Sequence, residues 1–288
     1  MSFPFSLTYY DPPEHLKRHL TVLFHFATDA ELTEDAVSGA LAQFNIFPCG
    51  TGEIAFDGPA HPVTAKANLS AGTTVAAKFR MKGPWHAIGA TLTPLGWAAL
   101  TKEPAQRHIN RYFPAEELLG SEVTDFSEAL SARYVSGELT PEDACSALGD
   151  WIAAHLGTVS PQHERLIEQT ITWLGSALNP DIEDLFPTLN YSRRQAERLV
   201  ERFFGLPPAA VARKFRAIRA SAMLAKEDLS DAEAAAIAEA FYDQPHMVRE
   251  ISRYCGYTPK RLGGDGQPIL KTLLQMKNFH RLQEFRAS

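Results

Sequence analysis

The sequence contains few cysteines and no long apolar segment. Its three cysteines, Cys49, Cys145 and Cys255, are far apart, so they predict neither a disulfide framework nor a paired-thiol metal site. No apolar run reaches the roughly 18–20 residues that span a bilayer. The N-terminal segment also lacks the charged and apolar regions of a signal peptide. We therefore expect a cytoplasmic protein with reduced thiols that makes no membrane contact.

Patterns typical of catalytic and metal sites are also missing. The ten histidines are scattered, and none has Cys, Asp or Glu neighbours at the spacing of metal ligands. There is no phosphate-binding loop, no dinucleotide-binding glycine motif and no Ser-His-Asp order. We expect no catalytic residues, no metal and no cofactor, with a metal-dependent barrel enzyme as the alternative.

Charge is distributed unevenly along the 288 residues, a length that favours two domains. Residues 181–288 contain 17 Lys and Arg against 14 Asp and Glu, a net charge of +3. The rest of the chain has a net charge of −9, which gives the overall −6. A basic segment on an acidic body favours a domain that meets phosphates.

The pattern of turns and apolar residues predicts an α+β protein. Residues 1–113 are β-rich, with two strands expected within 40–58 around a turn at 48–52, and further strands in 66–81 and 84–94. Short strands with regular turns predict an antiparallel barrel or sandwich, here a β-barrel-like sensor domain. Three further segments follow: a helical connector at 114–158, an all-α domain at 159–262 and a C-terminal tail at 263–288 whose pattern suggests an amphipathic helix.

Two helix-turn-helix units are predicted in the all-α domain. In the first, a short helix at 182–189 precedes a second helix that Ser192 caps and Gly205 ends. The polar face of this second helix carries Arg193, Arg194, Glu197, Arg198 and Arg202. In the second unit, the exposed face of helix 244–256 carries Gln244, His246, Arg249 and Arg253. The helix between the units carries four further cations, for which exposure to solvent is at least as well supported as contact with phosphate: Arg213, Lys214, Arg216 and Arg219.

The segment FYDQPHMVREISRYCGYTPKRL resembles the motif of the AraC/XylS family of transcription regulators. The matching positions are Phe241, Asp243, Pro245, His246, Arg249, Ile251, Gly256, Thr258 and Pro259. Upstream, NYSRRQAERLVERFFGLPPAAVARKFRAIRA resembles the first unit and linker helix of that family. Two positions depart from the pattern: Ala240 stands where glycine is usual, and Pro187 falls inside the short helix, which it should shorten or kink.

The resemblance implies a sequence-specific regulator that binds double-stranded DNA. Two recognition helices on one linker would enter successive major-groove segments about 34 Å apart. We expect Arg194, Arg198 and Arg249 to contact bases, with Glu197, Gln244 and His246 able to do the same. Phosphate contacts are expected from Arg193, Arg202 and Arg253. RNA polymerase and a second copy of the chain are further partners that the family implies.

In the acidic N-terminal part, the segments NIFPCGTGEIAFDG and AIGATLTPLGWAALTKEPAQRHINRYFPAEELLG resemble a sensor domain that precedes such DNA-binding domains in some bacterial regulators. This resemblance implies a small-molecule effector, for which Arg80, Trp85 and His86 are candidate ligand-binding residues. Core packing and a surface salt bridge explain the same three residues equally well. A domain that binds a protein partner instead of a small molecule is the alternative.

Overall fold

The computed structural model describes residues 5–38, 41–226, 228–262 and 268–274. Strands occupy the first part of the chain and helices the remainder, in agreement with the predicted α+β class. The strands are β1 Ser6–Tyr10, β2 Leu20–Thr28, β3 Leu32–Val37, β4 Ala42–Ala55, β5 Ala60–Val63, β6 Ala67–Ser70, β7 Ala77–Leu92 and β8 Phe113–Pro114. The helices are α1 Pro94–Thr101, α2 Glu116–Leu119, α3 Glu122–Val135, α4 Pro141–His155, α5 Pro161–Ser176, α6 Arg193–Phe204, α7 Pro208–Leu224, α8 Asp231–Ala240, α9 Gln244–Cys255 and α10 Pro268–Leu273.

All eight strands belong to one antiparallel sheet with the long strands β4 and β7 at its centre. The order is β1-β2-β7-β4-β6-β8, with β3 also paired to β7 and β5 to β4. Within the described residues the end strands β1 and β8 do not pair with each other. The sheet is therefore barrel-like but not closed.

Two of the predicted strand breaks are absent. The sequence predicts a turn at residues 48–52, whereas β4 is continuous and only shifts its register against β7 on either side of Cys49. Gly50 has a φ of +89°, and a Cβ there would lie 3.0 Å from backbone oxygens of β7. The expected turn is a bulge, because glycine lets β4 bend while it stays paired. Likewise β7 passes through Gly83 and Pro84, where a break was predicted.

The two faces of the sheet pack against different partners. Along β4, Phe44 and Ile46 point to one side and Asn45 and Phe47 to the other, because alternate residues of a strand face opposite ways. Helices α3 and α4 cover the Phe44 side, so most of segment 114–158 shares a core with the sheet. On the opposite side, the sheet curves around an apolar cavity.

The helical domain has two cores joined by α7. Leu174 of α5, Val200 of α6 and Val211 of α7 belong to one core. Ile218, in the second half of α7, packs with α8 and α9 in the other. Helix α7 therefore connects the two units, as the sequence predicts. In the described part of the chain, no helix has the length and apolarity needed to cross a membrane.

Local signals in the first unit have the expected effects. Ser192 caps α6, and Gly205 ends it in the left-handed conformation with a φ of +80°. Residues 182–189, predicted as a helix, form two short 3-10 turns instead, and Pro187 lies in the second. Proline shortens the segment because it has no amide N–H to donate.

In the second unit, Ala240 ends α8 with a negative φ, so it carries no left-handed strain.

Candidate DNA-binding surface and effector cavity

Helix α6 presents a polar face to solvent from a fixed N-terminus. The Ser192 hydroxyl accepts a hydrogen bond from the Gln195 amide, and the Gln195 side chain accepts one from the Ser192 amide. This capping box satisfies two backbone donors that a helix start leaves unpaired. Ala196, Val200 and Phe203 bury the other face. The burial of that face fixes which side chains of α6 point outward.

Two arginines of α6 are available for contacts outside the domain. Arg194 and Arg198 are exposed and line a shallow groove, and neither forms an ion pair with another described residue. Arg193, in contrast, lies 2.9 Å from Glu183 and 3.3 Å from Glu197, with its guanidinium over the Phe186 ring. Arg193 and Glu197 are therefore already paired with neighbours.

Arg202 lies in the last turn of α6 and is exposed. Its guanidinium carbon is 5.9 Å from the centre of the Phe203 ring. A cation in this turn also interacts favourably with the C-terminal end of the helix dipole. Arg202 thus combines an exposed charge with a position at the edge of the polar face.

Helix α9 begins with a second side-chain cap. The Asp243 carboxylate accepts a hydrogen bond from the His246 amide at 2.6 Å. Gln244, in the first turn, and Arg249, on the next turn, are exposed. The His246 ring turns back toward Glu250, with 3.0 Å between Nε2 and Oε1, and is therefore half-buried.

The buried carboxylate of Glu250 fixes α9 on the linker helix. It lies 2.7 Å from Nη2 of Arg216 and 3.7 Å from Nε of Arg213, both on α7. Arg219 donates to two carbonyl groups at the end of α5, at 2.6 and 3.0 Å. Arg216 and Arg219 of α7 are therefore structural cations, and neither is a solvated side chain.

Lys214 is a buried cation on the same helix. Its side chain is 4% exposed, its ammonium nitrogen lies 5.9 Å from the centre of the Phe215 ring, and it forms no ion pair with another described residue. Burial lowers the pKa of Lys214 to about 7. This lysine therefore does not belong to the exposed surface formed by α6 and α9.

Arg253, at the C-terminal end of α9, contacts the N-terminal domain. Its Nε donates to the carbonyl oxygen of Thr74 at 3.1 Å, and its own carbonyl oxygen accepts from the Ala76 amide at 2.8 Å. The nearby Tyr257 hydroxyl is 3.4 Å from the carboxylate of Asp35. In this arrangement the second unit is docked on the sheet, and Arg253 is engaged there.

A family model described as a helix-turn-helix domain matches residues 187–263. This part of the chain is therefore a helix-turn-helix domain, as the sequence predicts. The chain is also 30% identical over 121 residues to the HTH-type transcriptional regulator GbdR of Pseudomonas aeruginosa, an alignment that covers 42% of this chain and 32% of that regulator. The chain thus spans about a third of the length of the curated relatives it matches.

Two solved structures align with most of the chain at low identity. ToxT from Vibrio cholerae O395 has a TM-score of 0.47 and 8% identity, over 91% of this chain and 97% of that one. The AraC-like transcriptional activator CuxR has a TM-score of 0.31 and 16% identity, over 69% of this chain and 74% of that one.

The N-terminal domain, on which the helix-turn-helix domain docks, contains a cavity of about 170 Å³. Its wall is mostly aromatic and aliphatic, and includes Phe47, Phe79 and Trp85. Helix α10 closes part of it with Ile269 and Leu273. The Asp35 carboxylate accepts hydrogen bonds from the amides of Ile269 and Leu270, at 3.0 and 3.3 Å, and so fixes the start of α10. The cavity wall and the docked domain therefore share one anchoring residue.

The three predicted ligand-binding residues do not lie together. Trp85 lines the cavity, whereas the neighbouring His86 points to the other face of β7, where its Nδ1 is 2.8 Å from the Tyr134 hydroxyl. Arg80 is exposed at the surface and pairs with Glu34 at 2.9 Å. The alternation of β7 separates Trp85 from His86. Of the three, only Trp85 remains a candidate for ligand contact.

Sequence reasoning missed the polar residues of the cavity and of the docking contact. Asn45 is buried in a strand of large apolar residues, an exception that can be noticed in the sequence. Tyr112 and Asp35 give no such signal, because their roles depend on the sheet and α10 coming together. No cluster of three His, Cys, Asp or Glu side chains with the geometry of a metal site occurs among the described residues.

Proposed function

We propose that this chain is an AraC-type transcription regulator that binds double-stranded DNA by sequence. The observation that carries the proposal is the matched helix-turn-helix domain, in which α6 and α9 each present an exposed face with unpaired cations or amides. Arginine reads guanine through O6 and N7, so Arg194, Arg198 and Arg249 are the proposed base readers. Gln244 is a further candidate at the start of α9.

The linker supports simultaneous contact by both units. Helix α7 has 17 residues and is therefore about 25 Å long. Glu250 holds α9 on α7, and the shared core holds α6 at the other end. One chain would then contact two successive major-groove segments of a site without two-fold symmetry.

The other residues of the proposed surface differ in whether they must first break a contact within the chain. Ser192 and Arg202 lie at the edges of α6 and would bind phosphates. Arg193 and Glu197 are held by ion pairs and His246 by its contact with Glu250, so these side chains would need to exchange partners. Arg253 would first have to leave Thr74. We also propose that the chain contacts RNA polymerase, associates with a second copy of itself and acts in the cytoplasm. In this proposal it catalyses no reaction.

We further propose that a small effector in the N-terminal cavity controls DNA binding. Two observations support this. The cavity is the size of a small ligand, and its α10 wall is anchored at Asp35, which also contacts the helix-turn-helix domain through Tyr257. An occupant that packs against Ile269 and Leu273 of α10 would therefore change how firmly α10 is held at Asp35, and with it the docking of α9.

The test is selection of sequences from a random pool of duplex DNA by the full chain, at two salt concentrations. We expect an enriched motif with two blocks about one helical turn apart, and binding that weakens as salt rises. Arg194→Ala and Arg249→Ala should each relax the preference in one block and cost about 1–3 kcal/mol.

Arg165→Ala, an exposed change on α5, is the matched control and should leave the motif unchanged. Absence of any enriched motif at both salt concentrations, from folded protein, would refute sequence-specific binding. Relaxation by Arg165→Ala equal to that by Arg194→Ala would place the contact elsewhere on the domain.

A further inference from the structure

The inner cavity of the sheet has features that define the chemistry of its occupant. We propose that it binds a neutral, compact molecule of about one aromatic ring that carries a single hydroxyl or carboxamide group. This inference rests on the proposed function in one respect, that the N-terminal cavity is the effector site. It adds the class of the effector.

The volume limits the ligand to about one ring. A cavity of about 170 Å³ is close to the roughly 150 Å³ apolar cavities in proteins that accommodate benzene. A bicyclic molecule or a long acyl chain would need the wall to open. Single-ring molecules with one small substituent fit without that change.

The walls favour a flat apolar ligand. The Trp85 ring centre is 4.6 Å from that of Phe26, 5.3 Å from that of Phe79 and 6.0 Å from that of Phe47. Aromatic rings at such distances attract further rings in offset or edge-on arrangements. A planar ring would therefore gain both apolar burial and aromatic contacts.

The described part of the cavity wall offers no countercharge to an ionised ligand. None of the described residues that line the cavity is Asp, Glu, Lys, Arg or His. An ion that leaves water without a countercharge pays a large desolvation penalty. A carboxylate or an ammonium ion would accordingly bind much more weakly than its neutral counterpart.

Unpaired polar atoms in the wall favour a ligand with a hydrogen-bonding group. Asn45 Oδ1 and Trp85 Nε1 are buried and have no partner among the described residues. Asn45 Nδ2 donates to the Tyr112 hydroxyl at 3.2 Å, which leaves the Tyr112 proton to be donated. Buried polar atoms are normally paired. A hydroxyl or carboxamide, which both donates and accepts, supplies the missing partners.

The test measures binding of four probes to the full chain by calorimetry and thermal unfolding: phenol, benzamide, toluene and benzoate. We expect phenol and benzamide to raise Tm saturably and to bind roughly tenfold more tightly than toluene, the ratio that one additional hydrogen bond gives. Benzoate should leave Tm unchanged at neutral pH. Tighter binding of benzoate than of phenol, or no binding of any probe, would overturn the proposal.

Two variants locate the contacts. Asn45→Leu retains the size of the side chain and should abolish the preference for phenol over toluene. Trp85→Phe retains a ring and provides a second, independent variant if the first does not fold. Lys78→Ala, an outward-facing change on β7, should behave as wild type. An unchanged phenol preference in both folded variants would contradict the assigned polar contacts.

These measurements need no DNA, so the two proposals fail separately. A chain that binds phenol but selects no DNA sequence would refute only the regulator. A chain that selects a DNA motif but binds only charged probes, or none, would refute only the ligand class.

Discussion

Arg253 and Thr74 join the two domains through a hydrogen bond from the guanidinium Nε to the carbonyl oxygen, 3.1 Å away. The close packing extends to Gly256, where a Cβ would lie 3.1 Å from the Cβ atoms of Ala36 and Ala76. A phosphate cannot bind the same face of the guanidinium while Thr74 holds it. Undocking should therefore favour DNA binding.

Asp35→Ala should strengthen DNA binding. The substitution removes the acceptor for Tyr257 and for the start of α10, so it weakens docking without removing any residue of the proposed DNA-binding surface. We expect a several-fold rise in affinity for the selected site. The slope of log affinity against log salt concentration should become steeper by about one phosphate contact, because Arg253 becomes available. Gel shifts over a salt series measure both quantities.

The adjacent exposed change Glu34→Ala is the control, since it breaks only the surface pair with Arg80. It should leave affinity and salt slope unchanged. If Asp35→Ala and Glu34→Ala bind DNA equally, docking does not oppose DNA binding.

Glu250→Gln should destabilise the second unit. The change leaves Arg216 and His246 facing a neutral amide in a largely buried position. Removal of one member of a buried ion pair costs about 3 kcal/mol of unfolding free energy. Urea denaturation measures this loss, and a looser α9 should also reduce affinity for DNA.

Glu239→Gln, an exposed change on α8, controls for the loss of a negative charge. The double variant Glu250→Met with Arg216→Met should recover much of the stability, because both members of the most buried pair are then removed and the remaining cation, Arg213, is exposed to solvent. If Glu250→Gln is as stable as Glu239→Gln, the ion cluster does not hold α9.

The helical domain could be predicted closely because its signals are local. Caps such as Ser192 and Gly205, apolar spacing and the family motif all lie within a few residues of the helices they define. The sheet was predicted less well. Gly50 and Pro84 look like turns in sequence, yet pairing of β4 with β7 keeps both within strands. Tertiary hydrogen bonds overrode the local preference at both positions.

Exposed residues of the candidate surface followed from helix periodicity, but their partners did not. The sequence placed Arg253 on the polar face of α9, where a phosphate contact was the natural expectation. Its contact with Thr74 joins residues 179 positions apart, a separation that no periodicity encodes. The same holds for Glu250 with Arg216, since it depends on how α9 crosses α7.

Lys214→Met should stabilise the protein at neutral pH. Burial lowers the pKa of Lys214 to about 7, so in the native state it loses its proton at a much lower pH than in the unfolded chain. Between pH 7 and about 10.5, unfolding takes up a proton, and the stability of the wild type rises with pH. Replacement of a buried charge by an apolar side chain of similar volume adds about 1–4 kcal/mol.

Chemical denaturation of wild type and Lys214→Met at several pH values tests this. The two stabilities should converge as the pH approaches 10. Lys78→Met, at an exposed position, is the control and should change neither stability nor its pH dependence. A less stable Lys214→Met variant at pH 7 would mean that the ammonium group has a stabilising partner.

His25, Tyr134 and His86 form a hydrogen-bonded set between the sheet and α3. The Tyr134 hydroxyl lies 2.6 Å from Nε2 of His25 and 2.8 Å from Nδ1 of His86. One hydroxyl can donate to one neutral ring and accept from the other. Burial, followed by the electrostatic effect of the neighbouring His86, lowers the pKa of His25 to about 4.

Stability should consequently fall as the pH decreases from about 6.5 toward 4. Over this range the unfolded chain takes up a proton on His25 and the native state does not, so protons favour unfolding. A pKa decrease from 6.5 to about 4 corresponds to a loss of up to about 3 kcal/mol of unfolding free energy.

His25→Gln retains a partner for Tyr134 but does not titrate, so urea denaturation should show a flatter pH profile than the wild type. His61→Gln, an exposed change on β5, should retain the wild-type profile. Parallel profiles for wild type and His25→Gln would place the acid-sensitive group elsewhere in the fold.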